Sequence, residues 1–556
     1  MTTPRSPGTP LGRLRTAAQR IGWGWGTVTL VCIGVLALWL PDLTLPLGNS
    51  DDGRILARFG LQARNFWELG PIESRFGAVI EPFVRDEYNV APRTVPPAAA
   101  VTYAHHPPLP IFVAIASVGL LGDSVAALRI VPFAMGAATV AAMAVLLRVQ
   151  RISWGPTLLA VTAMVCTGFF YVYGRIGVGY SLLVASTAVV AWLREQSEPP
   201  RWALAVMACL AAGAAMQSWI ALVTLGLLAA WLFIGTLTRR RSTPPSHPEQ
   251  DRTQQGAMAR LAALVSRGWS PALTAMLVGA TAGAAVTAGW LLNATDLAEL
   301  SERVSFRVGR DVDTAAETTS FTFGEFLSRQ WRFAGHELLA PPWLRALLVP
   351  ALVAGIADRR TRVPVLVTLA AAATLTFGFQ QGAWIHRLWN FPWLAPATIG
   401  LAALTDAVRR FLASRAPGLR LPLGVLAALG AVATLVLVIT GGTRDYYLSD
   451  PAEAGAALEG ARGDASPEVV WTTPGISTPR WVSYYLDAPV FALDRDRLVE
   501  VLPSDLVLVR ADRTPEYFPD DALRHALVSR GDYHLISADR LLALTASTAA
   551  DTGMLP

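Results

Sequence analysis

The 556-residue sequence contains no lysine, only three cysteines and few charged residues of either sign. Charged residues make up 16% of the chain, against about a quarter in soluble globular domains. That excludes an ordinary soluble protein and puts most of the chain in a membrane. Cys32, Cys166 and Cys209 all fall inside apolar runs, which leaves neither a disulfide framework nor a cysteine metal site. Without lysine, all 46 basic residues are arginines, so any bound anion must be held by arginine or histidine. The net charge of +5 is carried in short clusters between apolar stretches. This is the pattern of helix ends at a membrane surface, and nucleic acid is not an expected partner. No internal repeat is evident.

What the sequence has in abundance is apolar runs. A span needs roughly 20 apolar residues, with 17–25 tolerated, and about eleven candidates follow on that criterion. They are Val28–Leu40, Val125–Leu147, Trp154–Tyr173, Tyr180–Leu193, Trp202–Met216, Trp219–Leu237, Pro271–Leu292, Trp343–Ala357, Val363–Phe379, Trp389–Ala407 and Leu421–Thr440. One further run, Pro107–Leu121, is assigned by arginine placement. If it does not cross, the short loops on the N-terminal side hold Arg148, Arg151, Arg194, Arg201, the Arg239–Arg241 cluster, Arg359, Arg360, Arg362, Arg409 and Arg410. The short loops on the other side then hold only Arg175 and Arg387. Cytoplasmic loops collect arginine, so Pro107–Leu121 is expected to be a juxtamembrane or re-entrant helix on the outer side, its prolines suiting a helix start.

The expected architecture is an α-helical polytopic membrane protein with a small C-terminal α/β extracytoplasmic domain. Residues 1–22, with Arg5, Arg13, Arg15 and Arg20, form a cytoplasmic tail before an uncleaved first span. Residues 23–441 form the transmembrane domain, with outer loops at 44–106 and 293–342. Residues 442–556 are polar, with strand-like runs at Val469–Thr472, Val490–Leu493, Leu506–Val509 and His534–Ser537 and helix-like stretches at Arg480–Leu486 and Asp521–Arg530. The expected location is the plasma (inner) membrane, multi-pass, with the N-terminus cytoplasmic.

Candidate chemistry gathers at the outer interface. Asp51 and Asp52 directly follow the first span in "LPLGNSDDGRILARFG". Ser50 or Asp51 suits a helix N-cap, and Asp51, Arg54 and Arg58, spaced i, i+3 and i+7, then share a face. That pattern fits an ordinary cap with solvated arginines as well as a carboxylate base beside anion-holding cations. His105 and His106 open "HHPPLP". His106 suits either a helix terminator or a phosphate contact, with His105 the bystander. Arg129, Arg175, His386 and Arg387 also fall at the interface, as does Arg332 within "SRQWRFAGHELLAPPW". Trp471, Trp481, Tyr484 and Tyr485 of the tail suit either a core or a sugar-stacking face.

Taken in order, these features resemble the GT-C membrane glycosyltransferases, specifically the family 39-like group of protein O-mannosyltransferases and the lipid A aminoarabinose transferase. An acidic pair follows the first span, a basic-Pro-Pro-Leu motif precedes an apolar helix, an Arg-x-x-Pro motif opens the next span, and an outer C-terminal domain closes the chain. The resemblance covers most of Trp23 to Gly442. It implies that Asp51 is the base of an Asp-Glu pair in which Asp52 replaces glutamate. It also implies that His106 takes the lysine position near the donor phosphate, and that Arg129 and Pro132 match an Arg-Leu-Pro-Ser motif. "YGRIGVGYSLL" matches a further loop at Arg175 and Tyr180 but lacks its acidic residue, which weakens any case for a divalent metal; no cofactor is expected.

The implied donor is a sugar on a polyprenyl phosphate, and the implied acceptor is a hydroxyl on an envelope glycan, lipid or protein. Phosphate leaves without an acid catalyst, so one base suffices. Arg54, Arg58, Arg129, Arg175 and Arg387, with His106 and Tyr180, are the expected grip on the phosphate. Direct displacement would invert the anomeric centre. The alternatives are a transporter or flippase of lipid-linked envelope precursors, and a non-catalytic scaffold whose tail binds glycan or protein. Ion-coupled carriers usually need charges in mid-membrane, and the spans here carry almost none.

Overall fold

The computed structural model describes most of the chain between Pro10 and Leu544. Residues 1–9, 82–100, 103–105, 177–180, 242–265, 309–320, 334–344, 416–449, 462–466, 494–500, 512–519 and 545–556, with a few shorter runs and single positions, lie outside the described residues. The expected span Leu421–Thr440 and the candidates His105 and Tyr180 lie among those.

The described helices are α1 Pro10–Trp39, α2 Asp51–Leu69, α3 Leu109–Leu121, α4 Val125–Val149, α5 Trp154–Val165, α6 Gly168–Tyr173, α7 Ser181–Leu193, α8 Arg201–Gln217 and α9 Trp219–Arg241. They continue with α10 Pro271–Ala294, α11 Leu297–Val308, α12 Phe323–Phe333, α13 Arg345–Ala357, α14 Arg362–Gly378, α15 Gln380–Ile385 and α16 Leu394–Arg415. A short 3-10 turn, Leu40–Asp42, follows α1, and another, Arg387–Trp393, precedes α16. Among the described residues, five stretches are long and apolar enough to cross a membrane: Gly24–Asp42, Val125–Val149, Trp219–Thr238, Pro271–Ala294 and Arg387–Arg415. Six shorter apolar helices fill out the bundle.

Serine and threonine side chains start several helices by accepting an orphan N–H. Ser50 caps α2 through Gly53 N–H at 2.9 Å, Ser124 caps α4 through Ala127 N–H at 3.2 Å, and Thr167 caps α6 through Phe170 N–H at 3.2 Å. The Thr167 cap divides the run Trp154–Tyr173, expected as one span, into α5 and α6. Gly136 of α4 then lets the next loop approach. A Cβ there would lie 2.4 Å from the Gly174 carbonyl oxygen, so only glycine permits this contact, which carries Arg175 toward α4.

α3 begins at Leu109, with Pro108 just before it and Pro110 in its first turn. Its 13 residues reach about 20 Å at 1.5 Å per residue, short of the roughly 30 Å hydrocarbon core. It packs mainly on α2. At the far end of α4 and α16, Arg360 bonds Asp406 at 2.7 Å and the Arg151 carbonyl at 3.0 Å, while Ser153 donates to Asp406 at 2.7 Å. Two loops and α16 are thereby tied together at one end of the bundle, leaving the candidate site at the other end.

The tail opens with α17, Asp450–Ala461, and contains α18, Arg480–Leu486. Its strands are β3 Val470–Thr472, β4 Val490–Ala492, β5 Leu506–Arg510, β6 Val528–Arg530 and β7 Tyr533–Ser537; β1 and β2 are the short pair Val79–Glu81 and Val101–Thr102. The order is β4-β3-β5-β7-β6, with β3 parallel to β4 and β5, and β7 antiparallel to β5 and β6. The expected helix over Asp521–Arg530 is instead a 3-10 turn, Asp520–His525, followed by β6. Gly531 at φ +49° supplies the left-handed residue of a two-residue hairpin turn, so Arg530 pairs with Tyr533. Trp471, Trp481, Tyr484 and Tyr485 are all buried, which makes them core and not a sugar-stacking face. Trp481, Tyr484 and Tyr485 share one hydrophobic core with Leu56 of α2, Ile111 of α3 and Trp290 of α10.

Candidate active site

The two adjacent acids at the start of α2 have opposite surroundings. Asp52 is sealed in. Its Oδ2 accepts from Arg129 Nη2 at 2.8 Å and lies 3.8 Å from Arg175 Nη2. Asp42, from the turn after α1, accepts from Arg175 Nη1 at 2.7 Å and from the Tyr171 hydroxyl at 3.2 Å. Arg129 also donates to the Asp42 carbonyl at 2.6 Å and to the Leu45 carbonyl. The side chains of Arg129, Arg175, Asp42 and Asp52 are each at most 1% exposed. Two carboxylates thus balance two guanidiniums out of water, where an unpaired charge would be very costly.

Asp51 is only partly covered, with its side chain 26% exposed. Its Oδ1 accepts from Arg54 Nη2 at 2.5 Å and its Oδ2 from the Tyr173 hydroxyl at 2.9 Å. Burial opposes its charge, but Arg54, the Tyr173 hydroxyl and His386 together outweigh burial and hold the carboxyl below its ordinary range. It is therefore ionised at neutral pH, as a proton acceptor must be. Tyr173 is a functional candidate that residue types alone did not single out. It is carried in by α6, and the division of the Trp154–Tyr173 run is what aims it.

The remaining candidates separate. Arg54 shares the face of Asp51 and also donates from Nε to the Ser50 carbonyl at 3.3 Å. Arg58 is buried with its guanidinium 5.0 Å from the centre of the Phe59 ring. His106 is half-buried in the bend before α3. Arg387 opens the 3-10 turn whose Phe391 ring lies 6.4 Å from that of Tyr173. The amphipathic helix α12 comes to the same turn, since Gln330 donates to the Ala383 carbonyl at 3.1 Å and accepts from Asn390 at 2.6 Å. It brings Arg329, 4.5 Å from the centre of the Trp384 ring, as a second residue the sequence did not single out. Burial, Arg332 and Arg387 all lower the basicity of Arg329, as expected for three clustered guanidiniums. Its i, i+3 relation to Arg332 was the available signal.

A small apolar pocket adjoins the buried ion cluster. Leu109, Val113 and Ser117 of α3 face Leu128 and Pro132 of α4 across it, with Ile176 beside them. Leu128 and Ile176 are the chain neighbours of Arg129 and Arg175. Among the described residues, no three His, Cys, Asp or Glu side chains group closely enough to hold a metal ion.

The chain matches the apo crystal structure of ArnT from Cupriavidus metallidurans with a TM-score of 0.51, covering 93% of its own length and 98% of that chain. It has the GT-C fold. The structure of the same ArnT bound to undecaprenyl phosphate matches at a TM-score of 0.50 with the same coverage. Sequence identity is 13% in both, so this is a likeness of fold. No family model matches the sequence, and no curated protein does. Within the GT-C fold, the acidic pair stands at the start of the helix after the first long apolar helix, on the face that the C-terminal domain covers.

Proposed function

We propose that the protein is a membrane glycosyltransferase that moves a monosaccharide from a polyprenyl-phosphate donor to a hydroxyl on an extracytoplasmic glycan, lipid or protein. The observation that carries this reading is the contrast between the two acids. Asp52 is locked between guanidiniums, while Asp51 is ionised, partly open and beside basic side chains. The ArnT-like fold supports it, because that ArnT binds undecaprenyl phosphate.

In this mechanism Asp51 takes the proton of the acceptor hydroxyl. The acceptor oxygen forms a bond to the anomeric carbon as the bond from that carbon to the phosphate oxygen breaks. The electron pair leaves with the phosphate, whose negative charge rises, and the anomeric centre inverts. Guanidiniums stabilise such a charge in bidentate fashion. Arg387, Arg329 and Arg332 supply them on one side and His106 a further donor on the other. Arg54 and Tyr173 orient the base. Arg129 and Arg175 act through Asp52 and Asp42, fixing the turn from which the base projects. The proposed setting is the plasma membrane, with this end of the bundle outside.

The test is binding and transfer by purified protein in nanodiscs. Undecaprenyl phosphate should bind saturably, and binding should weaken in Arg387→Ala and Arg329→Ala. Mass spectrometry of envelope glycans, lipids and proteins from cells with and without the protein should show one missing sugar. Asp51→Asn should fail to restore it. Absence of undecaprenyl phosphate binding together with an unchanged envelope would overturn the reading.

A further inference from the structure

The C-terminal domain does not simply sit above the membrane domain. It touches the short segment that leads into Asp51. The Leu47 N–H donates to the Tyr485 hydroxyl at 2.7 Å, across 438 positions of sequence, and both groups are buried. The Leu47 carbonyl is confined as well, by the backbone of α17. A Cβ at Gly455 would lie 1.8 Å from that oxygen, a contact that only glycine allows. The next residue, Gly48, packs on the first turn of α2, where a Cβ at Gly53 would meet the Gly48 oxygen at 2.3 Å. Ser50 caps that same turn. On the other side, Arg129 holds the carbonyls of Asp42 and Leu45. The segment is therefore gripped at one end by α4 and at the other by the tail.

A second contact between tail and α2 lies further along the helix. Arg64 donates to Asp123 at 3.0 and 2.8 Å and to the Tyr484 carbonyl at 3.0 Å, and the Tyr484 hydroxyl donates to Asp123 at 3.2 Å. This contact fastens the domain without touching the lead-in segment. The two adjacent tyrosines of α18 thus differ in function: Tyr484 anchors the domain, and Tyr485 reaches the segment before the acid.

We propose that Tyr485 is a positioning residue, through which the C-terminal domain fixes the Leu47 turn and hence the geometry of Asp51. The catalytic part of this inference rests on the proposed role of Asp51; the mechanical part does not. Removing the hydroxyl leaves a buried N–H without its partner, which loosens the turn and lets Asp51 drift from Tyr173.

The experiment compares the full chain in nanodiscs with Tyr485→Phe and Tyr484→Phe. Hydrogen exchange of the segment from Leu43 to Ile55 should quicken about ten-fold in Tyr485→Phe, from the cost of an unsatisfied buried donor. It should stay near wild type in Tyr484→Phe, and exchange in β5 should not change in Tyr485→Phe. Undecaprenyl phosphate affinity should be unaltered in Tyr485→Phe, because the base does not hold the phosphate. In sugar transfer, Tyr485→Phe should lower kcat several-fold with KM unchanged and move the acid limb of the pH profile upward. Wild-type exchange in Tyr485→Phe would overturn the clamp. Quickened exchange with unaltered kcat and pH profile would overturn the positioning role. A wild-type protein that neither binds undecaprenyl phosphate nor transfers sugar would count against the proposed function alone, since the exchange measurement still decides the clamp.

Discussion

Replacing Asp52 should damage the fold, whereas replacing its neighbour Asp51 should damage only the chemistry. In Asp52→Ala, Arg129 Nη2 loses its carboxylate at 2.8 Å and Arg175 Nη2 loses the same oxygen at 3.8 Å, both deep in the protein. One excess positive charge then remains among side chains at most 1% exposed. Removing one partner of such a buried pair costs about 3–5 kcal/mol, because the survivor stays out of water uncompensated. Asp42 still bonds Arg175, which puts the expected loss at the lower end, about 3 kcal/mol. In Asp51→Asn the side chain keeps its size and can still accept from Tyr173. The lost pair with Arg54 is about a quarter exposed on each side, and such pairs are worth about 0–1 kcal/mol. Thermal melting in detergent, followed by size-exclusion, should show a clear drop for Asp52→Ala and little for Asp51→Asn. Transfer activity should fall roughly 10²–10⁴-fold for Asp51→Asn, the contribution of a positioned base. A wild-type melting curve for Asp52→Ala would refute the account of the buried cluster.

Three further outcomes are expected. Because Arg54, the Tyr173 hydroxyl and His386 hold Asp51 below its ordinary range, the pH profile of transfer should lose activity only below the ordinary carboxylate range, as the base protonates. Tyr173→Phe removes one source of that depression and should move the acid limb upward. His106→Ala should raise the apparent KM for donor while His106→Lys preserves much of the activity, since a point charge also binds phosphate; equal donor KM in His106→Ala and wild type would remove His106 from the grip. At the other end of the bundle, Asp358 is depressed to about 2, first by its hydrogen bond with Arg360. A depressed carboxyl adds stability that is full above its unfolded pKa and is lost as pH falls through the folded one. The melting difference between wild type and Arg360→Leu should therefore be largest at neutral pH and shrink between about pH 4 and pH 2 as Asp358 protonates.

Much of the architecture was legible because it follows from local chemistry. The prolines Pro108 and Pro110 announce the start of α3. The alternating apolar runs of the tail announce β3, β4, β5 and β7. The hairpin at Gly531 was missed because Asp521–Arg530 has a helix-compatible composition, and only pairing with β7 makes Val528–Arg530 a strand. The acidic pair was legible as a pair, since two carboxylates beside a span are costly and conspicuous. Their different environments were not. Asp51 and Asp52 are neighbours in sequence, and consecutive helical positions point about 100° apart. Which one meets Arg129 and Arg175, and which meets Tyr173, depends on how α4 and α6 cross α2. The sequence by itself therefore determined the membrane class and the places of most helices and strands. It did so because the bilayer imposes lengths and charge placements on each segment separately. Only the tertiary structure decided which acid is sealed and which is open, and that Tyr485 reaches Leu47. Those are contacts between distant segments, set by packing that no local pattern encodes.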